Sequence, residues 1–317
     1  MILEQPHIGN QFIALKKVSE LTALLKISDF EFLRMVENPV YHAFEIGRKN
    51  GPGRQILAPS PDLKIRQKYL SRILQKVYYY YRPACVHGFI RKFNDQKGSV
   101  VTNAQPHVNK RYVLSMDIRD FFPSVTAPMV QEMLMQKLKL PLQVAAALTR
   151  LCTYQERLPQ GAPTSPIISN FIFLDLDHAL QDFSSYFSIT YTRYADDLTF
   201  STNEEAFRQT ALTTFKTEVE KKILKAGFVL HPQKIVLRTS LQRQQICGIK
   251  VNEKLNISRA YKKQTRAMRH DLEVNGLEKA AAAYFAKWRP GEKADSKKFL
   301  EILRGRESWG RKITEKI

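Results

Sequence analysis

The 317-residue sequence predicts an α+β protein, with a strand-bearing middle between helical ends. Three observations carry this. Leu21, Leu24, Leu25 and Phe32, Leu33, Val36 recur at helical spacing near the start. Two runs, Tyr112 to Ile118 and Ile189 to Phe200, are rich in the β-branched and aromatic residues that favour strands. From Ser258 onward, cations and apolar residues separate onto opposite faces of a helix.

Along the chain, Tyr41 to Ile46 and Gln55 to Leu57 read as strands. The segment Gly47 to Arg54 between them has the glycines and proline of a hairpin tip. Asp62 to Tyr81 reads as a helix bearing Lys64, Arg66, Lys68, Arg72 and Lys76. It ends in four tyrosines, at least half of which belong to packing and the rest to stacking on bases. Pro128 to Cys152, interrupted by Pro141, and Ser165 to Tyr186 read as helices. Ser258 is placed to cap a helix that ends near Gly276. On it Arg259, Lys262, Lys263, Arg266 and Arg269 share one face, and Tyr261, Met268 and Leu272 share the other. A further helical pattern runs from Ser296 to Leu303.

Two adjacent carboxylates, Asp196 and Asp197, sit inside the second strand-like run. Paired acids there resist burial unless a cation compensates them. The simplest compensation is a divalent metal held by oxygen ligands at a hairpin tip. An isolated Asp-Asp is more often a plain turn, but a second acid changes the balance. Asp117 ends the apolar run that begins at Tyr112. Capping the helix that follows suits Asp120 or Ser124 better. Two strand-borne carboxylates could clamp two Mg²⁺ ions about 3.5–4 Å apart, one activating a hydroxyl and the other holding a triphosphate.

The charge pattern points to a polyanionic partner. The formal net charge is +20 and the isoelectric point about 9.8. Residues 54–110 hold eleven cations against two acids, the C-terminal segment is basic as well, and the stretch between is near neutral. A merely solvated basic surface would not segregate in this way; a cleft gripping a duplex around a metal site would. Three cysteines without paired spacing argue against a disulfide framework or zinc site. The N-terminal residues lack the features of a signal peptide, and no run of about 18 apolar residues is present. A cytoplasmic protein with no membrane partner is expected.

The blocks Met116-Asp117-Ile118-Arg119-Asp120-Phe121-Phe122, Leu158-Pro159-Gln160-Gly161 and Tyr194-Ala195-Asp196-Asp197 together resemble a reverse transcriptase, in order and in spacing, over about Arg54 to Val251. Asn103-Ala104-Gln105-Pro106-His107 is similar to the Asn-Ala-x-x-His segment of retron reverse transcriptases. Where retron enzymes often carry Val-Thr-Gly in a later strand, this chain has Ile246-Cys247-Gly248, keeping the glycine and losing the hydroxyl.

The resemblance implies a right-hand polymerase: N-terminal helices and fingers over 1–110, a palm of antiparallel sheet packed on helices over 111–251 (with a helical insertion near 128–165), and a small helical thumb over 252–317. It implies catalysis by Asp117, Asp196 and Asp197, which with the backbone carbonyl of Ile118 would ligate two Mg²⁺, or Mn²⁺. Arg54, Lys49 and Gln160 would position the nucleotide. Phe122 would reject ribonucleotides, while Phe121 packs in the core. Asn103, His107 and the basic helix face would bind RNA. Lys234, in the block Gly227 to Lys234, is read as support of the palm. The implied activity copies part of a cognate msr-msd RNA into branched single-stranded msDNA from deoxynucleotides, priming from an RNA 2′-hydroxyl. A host RNase H removes the template, and an effector or toxin protein joins the system for defence against phage. Two other readings stay open: another small bacterial reverse transcriptase of group II intron-like, diversity-generating or abortive-infection type, and a nucleic-acid-binding scaffold for an effector.

Overall fold

The computed structural model describes residues 8–47, 53–92, 98–205, 207 and 210–314. The chain divides into two compact units. One comprises residues 1–99 and 114–237, the other 100–113 and 238–317.

The first unit opens with helices Ile8–Ile13, Val18–Leu25 and Asp29–Glu37. Ser28 starts the third with a capping box: its Oγ accepts from Glu31 N, and its own N–H donates to Glu31 Oε2, each at 3.2 Å. Leu21, Leu25, Phe32 and Val36 are buried, as helical spacing requires. Strands β1 (Tyr41–Ile46) and β2 (Arg54–Pro59) pair antiparallel, from Tyr41 opposite Pro59 to Ile46 opposite Arg54. The helix Pro61–Tyr78 follows. Tyr78 is buried, whereas Tyr80 and Tyr81 are exposed.

The main sheet has four strands: β3 (Tyr112–Asp117), β4 (Thr190–Tyr194), β5 (Asp197–Thr202) and β6 (Val236–Thr239), in the order β4-β5-β3-β6. Of its two inner strands, β3 is buried almost throughout, which accounts for its near-continuous apolar run. Pro141 separates helices Ala127–Gln136 and Leu142–Cys152 as the sequence predicts. The single helix expected over Ser165 to Tyr186 is instead two, Ser165–Ile172 and Leu174–Tyr186. The join is Phe173, fully buried with its ring 5.0 Å from Phe121 and 4.3 Å from Phe228. That aromatic packing fixes the join, and helical periodicity alone does not reveal it.

In the second unit the helix Val100–Ala104 and strands β7 (Gln245–Ile246) and β8 (Ile249–Lys250) enclose a core of Val101, Ala104, Val113, Ile246, Ile249 and Val251, completed by Leu255 and Ile313. Cys247 and Gly248 form the two-residue turn between β7 and β8, at φ 45° and 85°, and so lie in a hairpin rather than within a strand. Ser258 caps the long helix Arg259–Trp288, accepting from Tyr261 N at 3.1 Å. Gly276, at φ 75°, interrupts that helix where the sequence expects it to end. It packs on Ser296–Thr314, considerably longer than the helical pattern to Leu303, through Met268, Phe285, Phe299 and Leu303. Among the described residues no helix is long and apolar enough to cross a membrane.

Candidate active site

Asp117 stands at the end of β3, nearly buried. The chain segment before β6 is stitched beside it. Arg119 N donates to Val229 O and His231 N to Asp117 O, both at 2.8 Å, and Ile118 bridges Leu230. On the other side, β4 and β5 form a hairpin in which Tyr194 opposes Asp197, leaving Ala195-Asp196 as its turn. Ala195 takes the positive φ, 58°, of a two-residue hairpin turn. Ile118 N donates to Asp196 O at 3.0 Å, so the acids of the two elements share one end of the sheet.

A buried ion pair anchors that hairpin. Arg193 and Asp177 are both inaccessible to solvent, with Nη2 2.6 Å from Oδ2 and Nε 2.8 Å from Oδ1. Arg193 also donates through Nη1 to Ala195 O at 3.1 Å and through Nη2 to Asn170 Oδ1 at 3.1 Å. Gly88 lies directly beneath the turn: a Cβ there would come 2.3 Å from Ala195 N, which explains the glycine.

Asp117, Ile118 and Asp196 line a cavity of about 510 Å³ together with Arg54, Phe122 and Gln160. Arg54 is delivered by the start of β2. Gln160 O accepts from Leu57 N at 2.8 Å, docking the Pro-Gln-Gly segment on β2. Gly161, at φ 138°, is required there because a Cβ would lie 2.5 Å from Leu57 O. Phe122 contacts Phe121 at 5.3 Å and Phe89 at 5.8 Å between ring centroids. Phe121 is buried, as the sequence expects. Lys49 lies outside the described residues.

Acids and cations share the cavity wall, Asp117, Asp120 and Asp196 with Arg54, Arg119 and Lys234. Partial burial, then the charges of Asp196 and Asp117, push the Asp197 carboxyl up to about 6. Burial, with a smaller contribution from Asp117, raises Asp196 as well. Lys234 reaches in from the stitched segment, its Nζ 2.7 Å from Asp117 Oδ1. Among the described residues no three His, Cys, Asp or Glu side chains are gathered closely enough to hold a metal unaided. The donors nevertheless suit Mg²⁺, which binds hard oxygen ligands and often takes only one or two carboxylates, with substrate phosphates completing its shell. The raised carboxyls are those a cation would compensate.

A model of the family described as reverse transcriptase (RNA-dependent DNA polymerase) matches residues 46–275. The chain is 34% identical to the retron Mx65 reverse transcriptase of Myxococcus xanthus over 73% of its length, and 31% identical to that organism's retron Mx162 enzyme over 88%. It is 30% identical to the retron Ec86 reverse transcriptase of Escherichia coli, covering 80% of this chain and 74% of that one. This chain belongs to the retron reverse transcriptases. It spans 55% and 59% of the lengths of the two Myxococcus relatives. Membership in the reverse transcriptase family carries the right-hand polymerase fold, and the observed α+β architecture agrees with it.

The residues expected to bind RNA fall into two groups in this retron reverse transcriptase. Asn103 and His107 are wholly buried in the second unit. Asn103 Nδ2 lies 3.7 Å from Cys247 Sγ, so the Asn-Ala-x-x-His segment and the Ile-Cys-Gly turn meet in one core. Their side chains shape that unit rather than face solvent. Arg259, Lys263, Arg266 and Arg269 are exposed and Lys262 is half-buried. Arg269 donates twice to Glu307 Oε1, through Nε at 2.7 Å and Nη2 at 2.5 Å, which holds its guanidinium charged and partly neutralises it. Arg306, absent from the sequence reading, stacks over the Tyr261 ring at 4.0 Å beside Lys262 and Arg266. Sequence reasoning also passed over Phe89, Gly88, Asp177 and Arg193. Arg193 directly precedes Tyr194-Ala195-Asp196-Asp197, and a cation inside a strand otherwise made of threonine and tyrosine was the available signal.

Proposed function

We propose that this retron reverse transcriptase is an RNA-directed DNA polymerase. It copies part of a cognate structured RNA into branched single-stranded DNA, priming from an RNA 2′-hydroxyl. The observation that carries this reading is the convergence of Asp117 and Asp196 on one cavity with Arg54, Gln160 and Phe122. Asp117 and Asp196, with Asp197 and the Ile118 carbonyl, would hold two Mg²⁺ ions. Such ions activate the attacking hydroxyl and stabilise the leaving pyrophosphate. Arg54 is a cation on the cavity wall suited to a triphosphate. Gln160, docked on β2, faces the incoming nucleotide, and Lys49 would add charge. Phe122 closes the space beside the sugar 2′ carbon, backed by Phe121 and Phe89. The cations Arg259, Lys262, Lys263, Arg266 and Arg269 bind phosphates, while Asn103 and His107 support RNA binding by setting the shape of the unit that carries them. Fingers, palm and thumb are assigned to 1–110, 111–251 and 252–317. A host RNase H and an effector protein complete the system, with defence against phage as its role.

The test uses the full chain expressed from its native operon. The wild-type protein should co-purify with DNA of discrete length whose mobility shifts after 2′,5′ debranching. Asp196→Asn, which removes one ligand's charge, should yield RNA alone while melting within about 2 °C of wild type. Branched DNA from a well-folded Asp196→Asn variant would refute the site.

A further inference from the structure

We propose that Lys234 is a tethered stand-in for the metal at Asp117, a displaceable cation that makes tight metal binding wait for the nucleotide. The inference rests on the metal site of the preceding section and adds a device to it.

The placement of Lys234 is built in. Backbone hydrogen bonds tie Val229 and His231 to Arg119 and Asp117 at 2.8 Å, and a single 3₁₀ turn, Pro232–Lys234, then brings the lysine back toward Asp117. The ion pair is asymmetric: the Asp117 side chain is 10% exposed and that of Lys234 51%. The carboxylate is fixed at the end of a strand, whereas the ammonium sits on a flexible stem open to solvent and can swing away.

The electrostatics favour such an exchange. Asp117 and Asp196 line one cavity, and Lys234 on the same wall pairs with Asp117. A divalent ion entering alone must displace this cation, and no closed set of protein ligands awaits it among the described residues. A triphosphate entering the same cavity beside Arg54 offers the ammonium a new anionic partner and gives the metal phosphate oxygens. Nucleotide therefore frees Asp117 for the metal. By linkage, the metal strengthens nucleotide binding by the same factor.

The test measures binding of Mn²⁺ alone by electron paramagnetic resonance of the free ion, on the full-length protein. Melting curves would verify that each variant is folded. Lys234→Gln keeps the stem and removes the charge. It should bind Mn²⁺ about tenfold more tightly than wild type without nucleotide. A non-reacting deoxynucleoside triphosphate analogue should shrink that gap to about threefold or less. Lys234→Arg, which retains the cation, should stay close to wild type. Equal or weaker Mn²⁺ binding by Lys234→Gln would overturn the proposal while leaving the metal site standing, provided Asp117→Asn weakens binding. Equal binding by wild type and Asp117→Asn would overturn the metal site and this device together.

Discussion

At the scale of single residues, the paired acids at the β4–β5 turn are costly to the fold. An unfolded aspartate titrates near 3.9, whereas the folded Asp197 carboxyl is held up to about 6. The folded state therefore binds more protons between these values, and stability falls as pH rises through that window. Above it the penalty is fully present. Asp197→Asn should accordingly melt higher than wild type at pH 7.5 in the presence of a chelator. Because Asp197 is exposed and solvent screens it, the gain is on the order of 1–2 °C. The difference should close as pH falls from about 6 toward 4. A gap that persists at the acid end would show that Asp197 is not destabilised by its charge. Glycines at this scale record close approach. Gly88 under Ala195 and Gly161 against Leu57 both lie where a Cβ would strike backbone.

At the scale of elements, the β4–β5 hairpin depends on the pair buried behind it. Asp177 accepts from Tyr191 Oη at 2.9 Å as well as from Arg193, so one carboxylate organises both the strand and the turn it leads into. Asp177→Asn would leave the guanidinium buried without a counter-charge and should destabilise the protein by about 3–5 kcal/mol in urea melts. Replacing the pair together, Asp177→Leu with Arg193→Met, should recover most of that stability, because two desolvation penalties disappear at once. The double variant should still polymerise poorly, since nothing then holds the Ala195 carbonyl. Wild-type turnover in it would show that the turn holds its shape without the pair. The element boundaries follow the same logic. Pro141 and Gly276 act through their own backbone and Ser258 through its own hydroxyl, so all three mark breaks and caps in the sequence itself. The join at Phe173 arises from rings contributed by Phe121 and Phe228, distant in the chain.

At the scale of the whole molecule, the excess of positive charge is segregated, and its use in binding is set by pairing. Arg266 is exposed and faces a shallow basic cavity with Lys262 and Arg306, whereas Arg269 is committed to Glu307. Arg266→Ala should reduce the slope of log affinity against log salt by about one for the cognate RNA. Arg269→Ala should change it by less, because its charge is already partly neutralised. Filter binding between about 50 and 200 mM salt measures both. Equal effects would show that the Glu307 pair opens on binding.

The sequence by itself determined the α+β class, the strand that ends in Asp117 and the hairpin that bears Asp196, the family and the basic character of the C-terminal helices. These depend on local periodicity, on residue chemistry at fixed spacing and on net charge, all of which the chain carries before it folds. Only the tertiary structure decided that Lys234 meets Asp117, that Asp177 and Arg193 stand behind the turn, that Asn103 and His107 are interior, and that Arg269 is spent on Glu307. Each joins groups far apart in the chain. In the sequence a buried cation and a solvated one look alike, and burial and pairing separate them only once the chain has folded.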